Sequence, residues 1–300
     1  MTFRTIAVIS AGEMGNAVGA ALRETGFDIV TCVEGRSALT RARAERSGLR
    51  LLPDLEAVVA ACDLFLSILP PALARELADK TVAAMRRTGR KPLYADMNAI
   101  APETAAGIAR VIEAAGADFV DGGIVGSPPG KKSPPRVFVS GGRAEELKAL
   151  AGPKIDIRPC GAEPGRASAV KMCYAAVTKG SNALFAAVLT AAEALGVSQE
   201  VQGEFKASHP DVYKRMQSEV PFLPAVAWRY AGEMEEIAAT LESVGVTPKF
   251  HLGAADIYRL LDTTPFAKET RETLDLSRTL DQAVAVYAKH LKKSEKTAAE

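Results

Sequence analysis

The stretch that decides the fold is Ile6-Ala7-Val8-Ile9-Ser10-Ala11-Gly12-Glu13-Met14-Gly15-Asn16-Ala17-Val18-Gly19. It opens as an apolar, β-branched run, which is typical of a strand buried on both faces, and then passes through small residues into a helix-like segment. A strand, a tight turn and a helix in that order bring free backbone N–H groups and the positive end of a helix dipole to one point. That arrangement suits a pyrophosphate, so the stretch predicts a dinucleotide site.

The turn follows the fingerprint G-x-G-x-x-G with one departure. Ser10 holds the first position, Gly12 the second and Gly15 the third. Ser10 fits the turn only if its φ is negative, because it lacks the freedom of glycine. The predicted cofactor contacts here are Ser10, Gly12, Glu13, Met14 and Gly15, and the alternative is an ordinary strand-to-helix turn.

Composition narrows the class of protein. Three hundred residues predict two domains, and a net charge of +1 gives no indication of nucleic acid or of anionic membranes. The four cysteines lack C-x-x-C spacing and the three histidines lie far apart, so we expect neither a disulfide framework nor a metal site. With no signal peptide and no apolar run of membrane-spanning length, we expect a cytoplasmic protein.

The pattern of predicted strands and helices changes along the chain. Six strands alternate with helices up to Val125, which predicts an N-terminal Rossmann-type, doubly wound, mainly parallel sheet. Residues 136–140 and 154–158 predict two further short strands. A long Ala-rich helix is predicted over 166–195, followed by an all-α C-terminal domain. We therefore predict domains 1–163 and 164–300, the second beginning with this interdomain helix.

The end of the second predicted strand selects the cofactor. An acidic residue there accepts hydrogen bonds from the adenosine ribose, whereas an arginine accommodates a 2′-phosphate. The sequence offers Glu34 as well as Arg36 and Ser37. Because a guanidinium binds phosphate bidentately and a serine hydroxyl donates to it, these residues favour NADP over NAD. The alternative is a solvated, charged start of a helix.

The residues that follow the fourth and fifth predicted strands lie at the same edge of the predicted sheet, where the strands have their carboxyl ends. Leu69 and Pro70 are expected to wall the nicotinamide, although a strand stop followed by a helix start explains them equally. Asn98 is expected near the nicotinamide, and turn chemistry is its alternative.

The loop after the sixth strand and the long helix supply the predicted chemistry. Glycines at the end of the sixth strand let backbone N–H groups face an anionic substrate. Lys131 and Lys132 in the following loop either add attraction for that substrate or form a solvated loop tip, and the loop tip is the favoured interpretation. Lys171 lies within an apolar helix segment on one stripe with Ala175, Thr178 and Asn182. A desolvated lysine suits general acid–base work on an alcohol or carbonyl. A lysine snorkelling from a domain interface is the alternative.

Several stretches together resemble the β-hydroxyacid dehydrogenases, the group that includes 6-phosphogluconate dehydrogenase. The nucleotide turn is similar to the family's G-x-G-x-M-G, and residues 121–127 are similar to its substrate loop D-A-P-V-S-G-G. Val125 replaces the serine of that loop and Ser127 its last glycine. Residues 165–175 resemble the catalytic segment, and residues 229–237 resemble the signature of the C-terminal domain in a bacterial subgroup.

The resemblance implies an NADP-dependent oxidoreductase that acts on a small hydroxyacid or the matching aldehyde. Lys171 takes the place of the catalytic lysine, whereas Ala175 stands where the family has an asparagine. The resemblance further implies a homodimer and a carboxylate-bearing substrate. The predicted substrate contacts are Val125, Gly126, Ser127, Tyr174 and Asn182, the last two as replacements for the missing asparagine. Imine reduction on the same scaffold, and a non-catalytic NADP-binding sensor, stay open as alternatives.

Overall fold

The computed structural model describes residues 3–131, 133–270 and 273–291. The chain divides into two compact units, Met1–Tyr174 and Ala175–Glu300. The first unit contains an eight-stranded sheet, and the described part of the second contains helices and no strand. The predicted α/β domain followed by an all-α domain is therefore confirmed. Of the predicted lysine loop tip, Lys131 is exposed and Lys132 lies outside the described residues.

The sheet is parallel except at one pair of strands. Its strands are β1 (Thr5–Ile9), β2 (Asp28–Cys32), β3 (Arg50–Leu52), β4 (Leu64–Ser67), β5 (Leu93–Asp96), β6 (Phe119–Val125), β7 (Arg136–Ser140) and β8 (Asp156–Pro159). They lie in the order β3-β2-β1-β4-β5-β6-β7-β8, and only β6 and β7 are antiparallel. The order changes direction between β1 and β4. In open α/β sheets ligands bind beyond the carboxyl ends of the strands at such a point.

The core of the first unit lies on both faces of this sheet. Ile6 and Val8 of β1 face one hydrophobic cluster, whereas Ala7 and Ile9 face the other. This alternation follows from the two-residue period of a strand, and it explains why the β1 sequence is apolar throughout. The predicted buried strand is therefore confirmed.

Helices cover both faces of the sheet. They are α1 (Glu13–Glu24), α2 (Ala38–Arg46), α3 (Leu55–Ala61), α4 (Ala74–Thr88) and α5 (Pro102–Ala114). Asp54 caps α3 by accepting a hydrogen bond from the Ala57 N–H at 2.8 Å, as predicted. Pro102 occupies the first turn of α5, where its missing N–H costs nothing.

The long helix begins and ends almost where the sequence predicts. The helices that follow the sheet are α6 (Arg166–Ala194), α7 (Ser198–Ser208), α8 (Pro210–Glu219), α9 (Pro224–Glu242), α10 (Lys249–Asp262) and α11 (Leu280–Lys289). In the second unit the rings of Tyr230 and Tyr258 meet edge to face at 5.4 Å. The Tyr287 hydroxyl donates to the Val220 carbonyl at 2.7 Å. The first contact joins α9 to α10, and the second joins α11 to the turn between α8 and α9.

Two expectations about α6 need correction. We expected no segment of membrane-spanning length, but α6 is long and apolar enough by length and composition alone. Of the apolar window of α6, 33% is buried within the protein, and the buried residues of the helix include Met172, Ala186 and Leu189. We also placed the domain boundary at 163/164, whereas the compact units divide inside α6, after Tyr174. The reason is that the first turns of α6 pack on β6, as described below.

Candidate active site

The turn after β1 leaves the N-terminus of α1 open. Gly12 is the N-cap residue of α1 and provides no side chain to accept from the first-turn N–H groups. Helices α2 and α3, by contrast, are capped by the side chains of Ser37 and Asp54. A Cβ placed on Gly12 would meet only the Ser10 Oγ, at 3.7 Å, so the space above the turn is open to an approaching group. A helix terminus without a side-chain cap, the open space above it and the helix dipole together fit a pyrophosphate.

Gly15 is required by a close approach within the same turn. A Cβ at Gly15 would lie 2.0 Å from the Ser10 carbonyl oxygen and 3.3 Å from Val8 Cγ1. The helix can therefore pack against the end of β1 only if this residue is glycine. No non-glycine residue in the described part of the chain has a positive φ, so the expectation of a negative φ at Ser10 is confirmed. Glu13 and Met14 lie between the two glycines in the first turn of α1.

The end of β2 presents the residues that were predicted to choose the cofactor. Residues 33–36 form a turn closed by a hydrogen bond from the Arg36 N–H to the Val33 carbonyl at 3.1 Å. Glu34 and Arg36 are both exposed. The Ser37 Oγ accepts from the Thr40 N–H at 3.3 Å and caps α2. The side chains of Glu34, Arg36 and Ser37 lie together directly after the end of β2. The choice between NADP and NAD stays a prediction.

A buried polar network joins the ends of β4 and β5. Asn98 accepts from the Leu69 N–H at 2.7 Å and donates to Ser67 at 2.8 Å and to Asp96 at 3.0 Å. Its own N–H donates to Asp96 Oδ1 at 2.9 Å, which is the turn chemistry that the sequence offered as the alternative. Asn98 is 2% exposed, and it therefore positions Leu69 and the following Pro70 at the rim. A contact between Asn98 and the cofactor stays a prediction.

Asp96 is the ionisable group of this network. Complete burial raises the pKa of its carboxyl to about 7, although the hydrogen bonds from Asn98 act in the opposite direction. The charge of Asp121 on the neighbouring strand raises this pKa further. The two carboxyl groups lie in one register row, because Asp96 pairs with Asp121 across β5 and β6.

Asp121 fixes the N-terminus of α6. Its Oδ2 accepts from the N–H groups of Gly165 and Ser168, both at 2.9 Å, and its Oδ1 accepts from the Ser168 hydroxyl at 2.6 Å. Ser140 completes the network by donating to Asp121 at 3.1 Å and accepting from the Ala167 N–H at 3.0 Å. A carboxylate from the sheet thus caps a helix whose own preceding residues offer no capping side chain. We did not predict this role, although the missing local cap was visible in the sequence.

Lys171 is held against the end of β6. Its Nζ donates to the Ile124 carbonyl oxygen at 2.7 Å, and the side chain is half-buried. A Cβ on Gly123 would lie 2.7 Å from Lys171 Cβ and 2.9 Å from the Ala167 carbonyl, so only glycine permits this approach of α6 to the strand. Residues of β6 and α6 therefore bring the Lys171 amino group to the carboxyl end of β6, and its catalytic role stays a prediction.

The remaining predicted substrate residues fall into two groups. Val125 is buried at the end of β6, and Gly126 and Ser127 are exposed directly after it. Tyr174 lies one turn after Lys171 and is 45% exposed. These four share the first unit with Lys171.

Asn182 belongs to the second unit. It accepts from Arg215 at 2.8 Å and donates to Glu219 at 3.3 Å, and it is 7% exposed. Its amide thus already binds α8, and a role in place of the asparagine missing at Ala175 stays a prediction.

The described residues offer no metal-binding cluster, and the buried thiol of Cys62 is not a candidate nucleophile. Within residues 3–131, 133–270 and 273–291 no group of three or more metal-ligating side chains occurs. The four cysteines are free thiols. Burial raises the pKa of Cys62 to about 12, so this thiol is not a nucleophile near neutral pH.

Sequence profiles match both parts of the chain. The profile of the NAD binding domain of 6-phosphogluconate dehydrogenase matches residues 5–152. A domain of unknown function (DUF1932) matches residues 192–261.

Solved structures agree with these profiles. A conserved protein of unknown function, described as structurally similar to 3-hydroxyacid dehydrogenases, is 31% identical, with a TM-score of 0.62 over 86% of this chain and 97% of its own. The 3-hydroxyisobutyrate dehydrogenase of Mycobacterium tuberculosis is 21% identical, with a TM-score of 0.62 over 86% and 93% of the two chains. An imine reductase from Myxococcus stipitatus, in complex with NADP+, is 20% identical, with a TM-score of 0.54 over 87% and 93%. The last two show the fold alone.

The open helix terminus beside β1, at the switch point of a doubly wound sheet, defines an NAD(P)-binding protein. More particularly, the chain belongs to the 3-hydroxyacid dehydrogenase-like family, within the larger group of β-hydroxyacid dehydrogenases.

Proposed function

We propose that this protein is an NADP-dependent oxidoreductase that transfers a hydride between nicotinamide and a small hydroxyacid or the matching aldehyde or keto acid. The observation that carries the proposal is the position of Lys171. Its ammonium lies at the carboxyl end of β6, fixed by the Ile124 carbonyl at 2.7 Å, on the side of the sheet where a dinucleotide binds in this fold.

Different residues of this chain bind the cofactor, transfer the proton and bind the substrate. The turn from Ser10 to Gly15 holds the pyrophosphate, and Arg36 with Ser37 favours a 2′-phosphate on the ribose. The bound nicotinamide supplies the hydride acceptor or donor. During oxidation Lys171 acts as the neutral amine and takes the hydroxyl proton, and during reduction it acts as the ammonium and returns that proton. The N–H groups of residues 125–127 hold the substrate carboxylate.

The test compares Lys171→Met with Lys148→Met, an exposed lysine of the same unit that pairs with Glu145. We expect Lys171→Met to bind NADP+ with unchanged Kd but to lose about 10²- to 10⁴-fold in kcat, because it removes the proton carrier and not the nucleotide site. Turnover of a panel of 3-hydroxyacids is followed with NADP+ and with NAD+. Full activity in Lys171→Met, or a preference for NAD+, would contradict the proposal.

Imine reduction is the second candidate. Ala175 stands where an asparagine is expected for a hydroxyacid dehydrogenase, and an imine reductase shares the fold. The same panel, extended with cyclic imines and NADPH, separates the two activities. Binding of NADPH without turnover of any compound would instead support a sensor.

We further propose a homodimer formed through α6. The exposed apolar side chains Val170, Tyr174, Val177, Leu184 and Val188 recur at intervals of three, four and seven residues along this helix. Such spacing forms one seam, of the kind that packs against a second helix. A two-fold copy of the same seam is self-complementary, so a second copy of this chain is the partner that fits. A cytoplasmic location stays a prediction.

A further inference from the structure

Arg136, at the start of β7, is a cation that the proposed mechanism does not use. It is half-buried, and among the described residues its guanidinium forms no ion pair with a carboxylate. Two other arginines near β7 and β8 are paired with carboxylates: Arg143 binds Asp118 and Glu146, and Arg158 binds Asp156. A half-buried arginine without a carboxylate partner is unusual, because burial of an unpaired charge is costly.

The direction of the Arg136 side chain follows from the sheet. Gly123 faces α6, since a Cβ there would touch Lys171 Cβ and Ala167. Val125 is two residues further on, so it faces α6 as well. Val125 pairs directly with Arg136 across the antiparallel β6 and β7, and such partners point to the same face.

A contact with α6 supports this direction. The Arg136 guanidinium carbon lies 6.0 Å from the centre of the Tyr174 ring, three residues after Lys171 on α6. The ring stabilises the cation and fixes its position without neutralising its charge. Lys171 and Arg136 thus both approach the end of β6, at Ile124 and Val125 respectively.

The loop that follows Val125 is the one proposed to hold the substrate carboxylate. Its own donors are backbone N–H groups and the Ser127 hydroxyl, since Val125 brings no polar side chain. A guanidinium offers a planar pair of donors that matches a carboxylate. We propose that Arg136 binds the carboxylate of the substrate and thereby selects acids over neutral alcohols, an inference that rests on the proposed function.

The experiment measures binding separately from turnover. Protein saturated with NADP+ is titrated by calorimetry with 3-hydroxyacids that differ at C2 and C3, starting with 3-hydroxypropionate, and with 1,3-propanediol as the uncharged analogue. For the acid that binds best, we expect Arg136→Gln to raise Kd about 10- to 100-fold and Arg136→Lys to raise it less, because lysine keeps the charge but loses the paired donors. Where turnover is found, KM should rise with Kd while kcat changes little.

Arg158→Gln is the matched control. Arg158 also lies over an aromatic ring, that of Phe138 at 5.9 Å, but it is paired with Asp156. We expect its Kd for the acid to equal that of the wild type, and the thermal melts of all variants to coincide.

The results distinguish a failure of the proposed role of Arg136 from a failure of the proposed dehydrogenase activity. Tight binding of the acid to Arg136→Gln, or no binding of any acid to the wild type, overturns the role of Arg136. Binding that depends on Arg136 without turnover of any acid supports this role and overturns the dehydrogenase proposal.

Discussion

At the scale of single residues, the buried network around Asp96 makes the stability of the fold depend on pH. The pKa of Asp96 is about 7 in the folded protein and near 3.8 in an exposed carboxyl. The folded state therefore binds the proton more tightly than the unfolded state. The stabilisation from this proton is complete below about pH 4 and is lost as the pH rises through 7.

The variant Asp96→Asn isolates this effect. We expect the free energy of unfolding of the wild type to fall relative to that of Asp96→Asn between pH 4 and pH 8, by an amount on the order of 4 kcal/mol. Urea unfolding at a series of pH values measures the difference. Asp79→Asn, at an exposed position on α4, serves as the control and should show no such fall. If the free energy of unfolding of the wild type relative to Asp96→Asn stays constant or rises with pH, the raised pKa assigned to Asp96 is wrong.

At the scale of elements, α6 depends on a carboxylate from the sheet. Asp121→Asn keeps the size of the side chain but points an NH2 group at donors of Gly165, Ser168 or Ser140. We expect a loss of about 2–4 kcal/mol in the free energy of unfolding, because a buried charge-assisted network is broken. Asp118→Asn removes an exposed pair with Arg143 and should cost about 1 kcal/mol or less. Equal costs in urea unfolding would show that Asp121 does not hold the helix.

The sequence predicts the bounds and caps of helices well where residues close in sequence determine them. The bounds of α6, the Asp54 cap and the start of α5 at Pro102 all follow from neighbouring residues. The role of Asp121 does not, because its partners Gly165, just before α6, and Ser168, in its first turn, lie 44 and 47 residues away in sequence. Arg136 is missed for the same reason, since only the antiparallel pairing with Val125 reveals its direction.

At the scale of the whole molecule, the α6 seam predicts the oligomeric state. We expect light scattering to give twice the mass of one chain for the wild type. The double variant Val177→Asp, Leu184→Asp should give one chain mass, because it places two charges at the centre of the seam. Leu276→Asp, also strongly exposed but far from α6 in sequence, should leave the dimer intact. A wild type of single mass, or a double variant that stays dimeric, would exclude this surface.

The capping of α6 by Asp121 also bears on how this protein can be cut or recombined. A chain ending at Pro164 would contain every strand of the sheet yet leave the Asp121 carboxylate without its donors from Gly165 and Ser168. The compact N-terminal unit extends to Tyr174 and includes Lys171. A helical domain exchanged by recombination must join within α6, so the proposed acid–base lysine is inherited with the nucleotide-binding half.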